Sequence, residues 1–321
     1  MSTSAPAKVR TIRAFESRVS RIEDLSPSMR RITLESPEFS DFGGDLDGRT
    51  LDLRIKAMIP NAGKKLPDFN ALFDQGGEGH SWYQLWLQMD ASERGYMRTY
   101  TARTVRRDVG ELDIDFVLHS GESLESGPAG YWAQNAQLGD ALTILGPSLA
   151  AGECQGIEFK PGASTNMLLV GDETALPAIA AILEELDPAT TGSVLLEVPT
   201  PEDFLDLAAP ENMAITWLAR HGETHGTQLI PAVRHAFGEN AGEGGNAVEP
   251  QEIREVNVDE EILWETPEYF GGQPTEGLYA WIAGEAAMVR ELRRYLVREL
   301  GVDRKQVAFM GYWRYGKAER D

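Results

Sequence analysis

Hydrophobic and polar positions alternate most cleanly at two places in this chain. From Thr50 to Pro60, Leu51, Leu53, Ile55, Ala57 and Ile59 point one way while Asp52, Arg54, Lys56 and Met58 point the other. Further on, Leu112, Ile114, Phe116 and Leu118 alternate with Asp113, Asp115, Val117 and His119. A period of two is the mark of a half-buried strand. Extended runs at 18–25, 29–35, 98–105 and 141–146 complete a set of six, the first two joined by the turn Ser26-Pro27-Ser28. The set predicts an antiparallel β-barrel. Residues 1–15 read as a flexible lead-in with some strand character and 36–47 as a loop. Residues 61–95 read as a long irregular stretch whose Trp82, Tyr83 and Trp86 either cap a substrate mouth or pack as a satellite cluster, the latter being preferred.

The pattern changes in the second half. Asn166–Gly171 is a short apolar run, and after it Leu176, Ile179, Leu183 and Leu186 repeat at helical spacing. Strands are predicted at 194–198, 215–219, 278–283 and 306–311. Helices are predicted at 227–237 and 285–300, the latter with an apolar stripe of Val289, Leu292, Leu296 and Leu300. Strands alternating with helices argue for a parallel sheet. The chain therefore divides into a barrel domain over 1–150, a linker at 150–164, and an α/β domain over 165–321. The stretch 239–261 is acidic, contains glycines and is poor in apolar residues. It reads as a surface insertion without chemistry.

Composition narrows the function. The 321 residues carry a formal charge of −21. That charge argues against nucleic acid, whose binding rests on phosphate neutralisation by Lys and Arg. It also requires a local basic patch for any anionic substrate. A single cysteine, Cys154, excludes a disulfide framework and a four-cysteine cluster, so redox chemistry would need an organic cofactor. No metal-ligand set is read. No apolar run approaches the roughly 20 residues that span a bilayer, and the first residues lack a secretory core, which points to the cytoplasm and away from membranes.

Candidate chemistry gathers between Arg98 and Pro147. Arg98 and Tyr100 lie two apart and project to one face. The small-residue loop Ser126-Gly127-Pro128-Ala129-Gly130 leads into a helix predicted from about Tyr131 to Gln137, and a helix start of this kind holds phosphate. In the second domain the turn Gly171-Asp172-Glu173-Thr174 stands where a doubly wound fold binds its nucleotide, although it has only one of the fingerprint glycines. Glu197, ending the next strand, suits a ribose 2′-hydroxyl and so NADH. Arg220 could serve a phosphate, which leaves NADPH open.

Taken in order, Arg98-Thr99-Tyr100-Thr101, Asp115-Phe116-Val117-Leu118-His119, Gly127-Pro128-Ala129, Trp132-Ala133, Gly139-Asp140, Gly171 to Pro177, Trp281 to Glu285 and Gly311-Tyr312-Trp313-Arg314 resemble the siderophore-interacting protein family. These are flavin-dependent ferric-siderophore reductases related to ferredoxin reductase. The resemblance implies a six-stranded antiparallel flavin-binding β-barrel followed by a parallel α/β nucleotide-binding domain. It implies FAD, with NADH or NADPH as electron donor, a ferredoxin-type donor being an alternative. It assigns Arg98 to the FAD pyrophosphate, Tyr100 to the ribityl chain or ring, and Thr99 and Thr101 to the same strand's flavin contacts. Asp115, Val117 and His119 would line the adenosine or ring edge, Gly127, Pro128 and Ala129 the phosphates. Lys56 would contact an anionic ferric chelate and Arg314 the substrate mouth. No side chain is required as a general acid or base. The chain departs from the family at Tyr131, where relatives commonly have a basic residue, and in the longer stretch Ser120–Ser126. Two other readings share much of this pattern: a flavin reductase that serves a protein partner, and a ferric-siderophore binder without redox activity.

Overall fold

The computed structural model describes residues 10–44, 48–76, 81–118, 127–152, 154, 156–240, 263–272 and 277–316. The chain forms two compact units, one of Met1–Asp24 with Arg30–Ile157, the other of Leu25–Met29 with Glu158–Arg320.

The first unit is built on β1 (Ile12–Ser26), β2 (Met29–Glu35), β3 (Arg54–Ile59), β4 (Tyr96–Thr101), β5 (Thr104–Arg106), β6 (Glu111–Val117) and β7 (Ala141–Pro147). They form one sheet in the order β4-β3-β7-β1-β2-β6-β5. The extended run expected over 98–105 is two strands, so the sheet has seven strands where the pattern counted six. The break has a function. β4 and β5 are the two edges of the sheet, and only Ala102 and Arg103 separate them. The Ala102 N–H bonds the Leu53 carbonyl at 2.9 Å and the Arg103 N–H bonds the Asp113 carbonyl at 2.9 Å. Consecutive residues thus pair with opposite sides of the sheet, and the chain itself joins the two edges, which otherwise would present unpaired backbone groups.

Phe15, Ile32, Leu34, Phe39, Phe42, Ile55, Ile114 and Phe116 fill the interior, each at most 1% exposed. Each such side chain contributes roughly 1.5–3 kcal/mol on burial. Strand β1 begins six residues before the expected run at 18–25, because Ile12–Arg18 pairs in register with Ala141–Pro147 of β7.

The expectation of an irregular stretch at 61–95 is overturned. It contains α1 (Phe69–Gln75), α2 (Trp82–Gln88) and the short α3 (Ala91–Arg94). Each starts on a capping side chain, Asp68, Ser81 and Asp90 respectively, and Ser81 with Gln84 forms a capping box. The helices are too short to show a repeating period. Their apolar sides pack Phe69, Trp82, Tyr83 and Trp86 over Ala14, Met58 and Leu145. The aromatics therefore form the expected satellite cluster, and Met58 is buried although it stands on the polar side of its strand's pattern.

The second unit is a doubly wound sheet of β8 (Asn166–Asp172), β9 (Thr191–Val198), β10 (Met213–Ala219), β11 (Trp264–Glu265), β12 (Leu278–Glu285) and β13 (Val307–Trp313). The order is β10-β9-β8-β12-β13-β11, parallel except for the edge strand β11. Helices α5 (Leu176–Glu185), α6 (Leu229–Asn240) and α7 (Ala286–Arg293) follow β8, β10 and β12. The helix expected to Leu300 changes to wider turns over Arg294–Glu299, which carry three successive residues, Tyr295, Leu296 and Val297, into the core. Strand order reverses between β8 and β12, and a ligand crevice in such sheets lies at the carboxyl ends of those two strands. The acidic stretch 239–261 lies outside the described residues except for Glu239 and Asn240 at the end of α6.

Candidate functional site

In the barrel unit, the register of β3 against β4 sorts the predicted residues onto two faces. Tyr96, Arg98 and Tyr100 stand opposite Ile59, Ala57 and Ile55. They share the face that leads into the core. Thr99 and Thr101 stand opposite Lys56 and Arg54 and project to the other side. The Lys56 ammonium bonds the Thr99 hydroxyl across the two strands. Lys56 and the pair Arg98–Tyr100 therefore address opposite faces of one two-stranded ribbon.

Arg98 is half-buried, with its guanidinium 5.9 Å from the Tyr96 ring and donating to the Met97 carbonyl at 2.8 Å. The Tyr100 ring packs 4.5 Å from Phe116, which lies 5.6 Å from Trp132. That aromatic series joins β4 and β6 to α4 (Gly127–Asn135), a helix packed against β3, β4 and β6. The helix begins at Gly127, four residues before the expected start, and takes the predicted phosphate loop into its first turn. Proline suits that position because its missing N–H would have no helical partner. Arg30 closes the other end of α4, donating to the Ala133 and Gln134 carbonyls at 3.1 and 2.9 Å. A half-exposed cation, a phenol on the same strand face and a nine-residue helix start with an exposed glycine fit a dinucleotide that carries a flat ring. FAD is such a group.

Asp115 lies within β6. It is buried, and both oxygens accept from Arg31, at 2.7 and 2.9 Å. Neighbouring Asp113 accepts from Thr33 at 2.7 Å and from Arg106 through two bonds of 2.8 Å. Burial opposes ionisation of Asp113, but its bonds from Arg106 and Thr33 together hold its carboxyl below the usual range. The two acids of β6 thus pair with arginines of the same unit. Val117 is half-buried at the end of β6, and His119 lies outside the described residues.

In the sheet unit, a polar cluster fills the carboxyl ends of β8, β9 and β12. Asp172 is fully buried at the end of β8. Its Oδ1 accepts from the Thr174 N–H at 2.9 Å and the Thr174 hydroxyl at 2.5 Å, and its Oδ2 from the Glu285 N–H at 2.7 Å and Trp313 Nε1 at 3.0 Å. Burial, with the Glu173 charge beside it, still raises its pKa. The close approach of β12 requires Gly284. Its φ is +142°, and a Cβ there would lie 2.6 Å from Asp172 Oδ2. Glu285 then caps α7, accepting from the N–H groups of Ala287 and Met288 at 2.7 and 3.0 Å.

Glu173 binds Arg220 through two bonds of 3.0 and 2.7 Å and lies 3.2 Å from His225 Nε2. Burial works against its charge. The bonds from His225 and Arg220 outweigh it and bring the carboxyl down to about 2. Glu197 is also buried; its Oε2 accepts from the Gly226 N–H at 2.7 Å, and its Oε1 has no partner. Burial raises its pKa. In this structure Glu197 is closed off behind Gly226 and Arg220 has both terminal nitrogens paired with Glu173. Gly171 to Thr174 sit at the predicted crevice, but their polar atoms serve this internal cluster. His225 and Glu285 were missed. Glu285, between an apolar run and a helix, carries the signal of a cap; His225 carries none. After β13, Tyr312 stacks on Trp264 at 5.9 Å, whereas Trp313 turns to Asp172 and to His225, with ring centres 4.6 Å apart. Arg314 follows, half-buried.

Residues 18–151 match the family model described as siderophore-interacting FAD-binding domain, and residues 164–316 match that described as siderophore-interacting protein. Ferric vibriobactin reductase of Vibrio cholerae is 28% identical over 295 residues, covering 92% of this chain and 87% of that one. The crystal structure of the siderophore-interacting protein SipS from Aeromonas hydrophila is similar with a TM-score of 0.61 at 31% identity, over 96% of this chain and 94% of that one. A ferredoxin NADP+ reductase from Neisseria gonorrhoeae, solved with FAD and NADP, gives a TM-score of 0.54 at 13% identity over 94% and 99% of the two chains, a likeness of fold alone.

Proposed function

The chain belongs to the siderophore-interacting protein family, and from that premise we propose that it is a ferric-siderophore reductase, passing electrons from NAD(P)H through FAD to an Fe(III)-siderophore. The observation that carries the reading is the shared face of Arg98 and Tyr100 on β4, a strand against which α4 packs. It offers a cation, an aromatic wall and helical N–H groups in one unit. The barrel, residues 1–150, is then the FAD domain and residues 165–321 the nicotinamide domain. No helix among the described residues is long and apolar enough to cross a membrane.

The electron count sets the chemistry. Nicotinamide gives two electrons as a hydride, and each ferric ion takes one, so one NAD(P)H reduces two ferric chelates. FAD supplies the step between a two-electron donor and a one-electron acceptor. The residues of the chain bind and orient. Arg98 would pair with the pyrophosphate, with Gly127, Pro128 and Ala129 supplying the helix start beside it. Tyr100, backed by Phe116 and Trp132, would give the ring a fixed wall. Val117 would complete that neighbourhood, and Thr99 and Thr101, whose side chains turn to the other face, would take part through their backbone. Lys56, on the opposite face, would attract an anionic chelate into a protein of strongly negative charge; for Arg314, in the other unit, the substrate role stands on the resemblance. Ferric iron prefers hard anionic oxygens, and its reduction weakens the hold of the chelator.

The test is the visible spectrum of the purified protein, held anaerobically, before and after NADH or NADPH and then after a ferric chelate. Flavin absorbance that bleaches with the donor and returns with the chelate is the expected result. A colourless protein that refuses added FAD refutes the reading. Bleaching by reduced ferredoxin alone would reassign the donor, and return of colour only with a protein acceptor would reassign the substrate.

A further inference from the structure

We infer that the sheet unit accepts a dinucleotide with a free ribose 2′-hydroxyl, and that Glu173 is the residue that selects against a 2′-phosphate. The inference rests on the nicotinamide role proposed for this unit and adds the choice of donor. In a doubly wound sheet the adenosine ribose lies at the carboxyl end of the second strand, where an arginine nearby accommodates a 2′-phosphate. That strand is β9, ending at Glu197 and Val198. Arg220 follows the neighbouring strand β10, and its backbone N–H bonds the Val198 carbonyl at 2.9 Å. By position it is the arginine for that task.

Glu173 withholds it. Both terminal nitrogens of Arg220 lie in the Glu173 carboxylate fork at 3.0 and 2.7 Å, and the two residues are 6% and 2% exposed. A phosphate that engaged this guanidinium would have to displace a buried carboxylate and leave it unpaired, which is costly. The surrounding side chains give no substitute. The turn after β9, Pro199-Thr200-Pro201-Glu202-Asp203, has two acids and no cation, and Glu202 is exposed. Asp203 is buried against Thr200, accepting at 3.2 and 3.1 Å. Glu197, closed off behind Gly226, adds a further carboxyl. His225 is held by Glu173, which leaves His221, exposed after β10, as an imidazole. The selection is thus set by a carboxylate on the first strand's turn acting on an arginine two strands away.

The experiment is calorimetric titration of the full chain with ADP-ribose and with 2′-phospho-ADP-ribose at pH 8, where an ordinary imidazole is uncharged. The wild type should bind ADP-ribose at least about tenfold more tightly, a difference of about 1.4 kcal/mol. Glu173→Gln should narrow that ratio about tenfold by tighter binding of the 2′-phosphate, with ADP-ribose unchanged. The paired variant Glu173→Gln/Arg220→Gln, which leaves no buried charge unpaired, should keep the wild-type ratio. A wild-type preference for the 2′-phosphate, an unchanged ratio in folded Glu173→Gln, or a loss of 2′-phosphate binding in the paired variant each overturns the inference alone. If neither probe binds, the nicotinamide reading fails and the inference falls with it.

Discussion

Replacing Glu173 by Gln removes a titrating group whose ionised form the fold stabilises, so the cost of the substitution must depend on pH. The carboxyl is held at about 2 against an ordinary 4.5. A folded pKa below the unfolded one contributes stability that is full above the unfolded value and is lost as pH falls toward the folded one. At pH 7 the lowering corresponds to about 3 kcal/mol. At pH 3 the unfolded carboxyl is already protonated and the folded one is not, and about 1 kcal/mol is left. Gln carries no such term. The gap between wild type and Glu173→Gln should therefore shrink by about 2 kcal/mol from pH 7 to pH 3. Arg220 stays charged throughout, and Asp172, whose pKa the Glu173 charge helps to raise, loses that contribution in the variant, so the difference reads Glu173 together with its effect on Asp172. Amide exchange in β8 and β9 reads the sheet unit by itself. An equal gap at the two pH values, or one that widens in acid, would show that the Arg220 pair does not favour the ionised Glu173 and would refute the reasoning.

Other substitutions probe the barrel and the sheet separately. Lys56→Ala should raise KM for an anionic ferric chelate and leave the rate of flavin reduction by the donor unchanged; stopped-flow absorbance separates the two. Arg98→Ala should weaken FAD binding by about 10–100-fold, as expected for a lost bond to a charged group, read from flavin retained after dialysis. Trp86→Ala, at a fully buried ring whose Nε1 donates to the Arg94 carbonyl at 2.9 Å, should cost about 3–5 kcal/mol in urea unfolding. Gly192→Ala should destabilise by more than about 2 kcal/mol in the same assay. At that glycine φ is +141° and a Cβ would fall 1.9 Å from the Met167 carbonyl oxygen.

Much of the architecture was legible because strand and helix periods are local. Alternation at 50–60 and 112–118 located β3 and β6, and the stripe Leu176, Ile179, Leu183 located α5. The ordered strings around Arg98, Gly127 and Gly171 were enough to indicate the family. The short helices α1 and α2 escaped because seven residues give barely two turns, although the caps at Asp68 and Ser81 were there to be read. What sequence could not determine was the state of each carboxylate. Nothing local to Asp115 shows that Arg31, from another strand, donates to both of its oxygens. Glu197 looks open to a ribose until the backbone of Gly226 covers it, and Arg220 looks available until Glu173 claims it. Periodicity is written along the chain, one turn or one pleat at a time. Whether a charge is spent inside the protein or left for a ligand depends on partners that only the pairing of distant strands brings within reach.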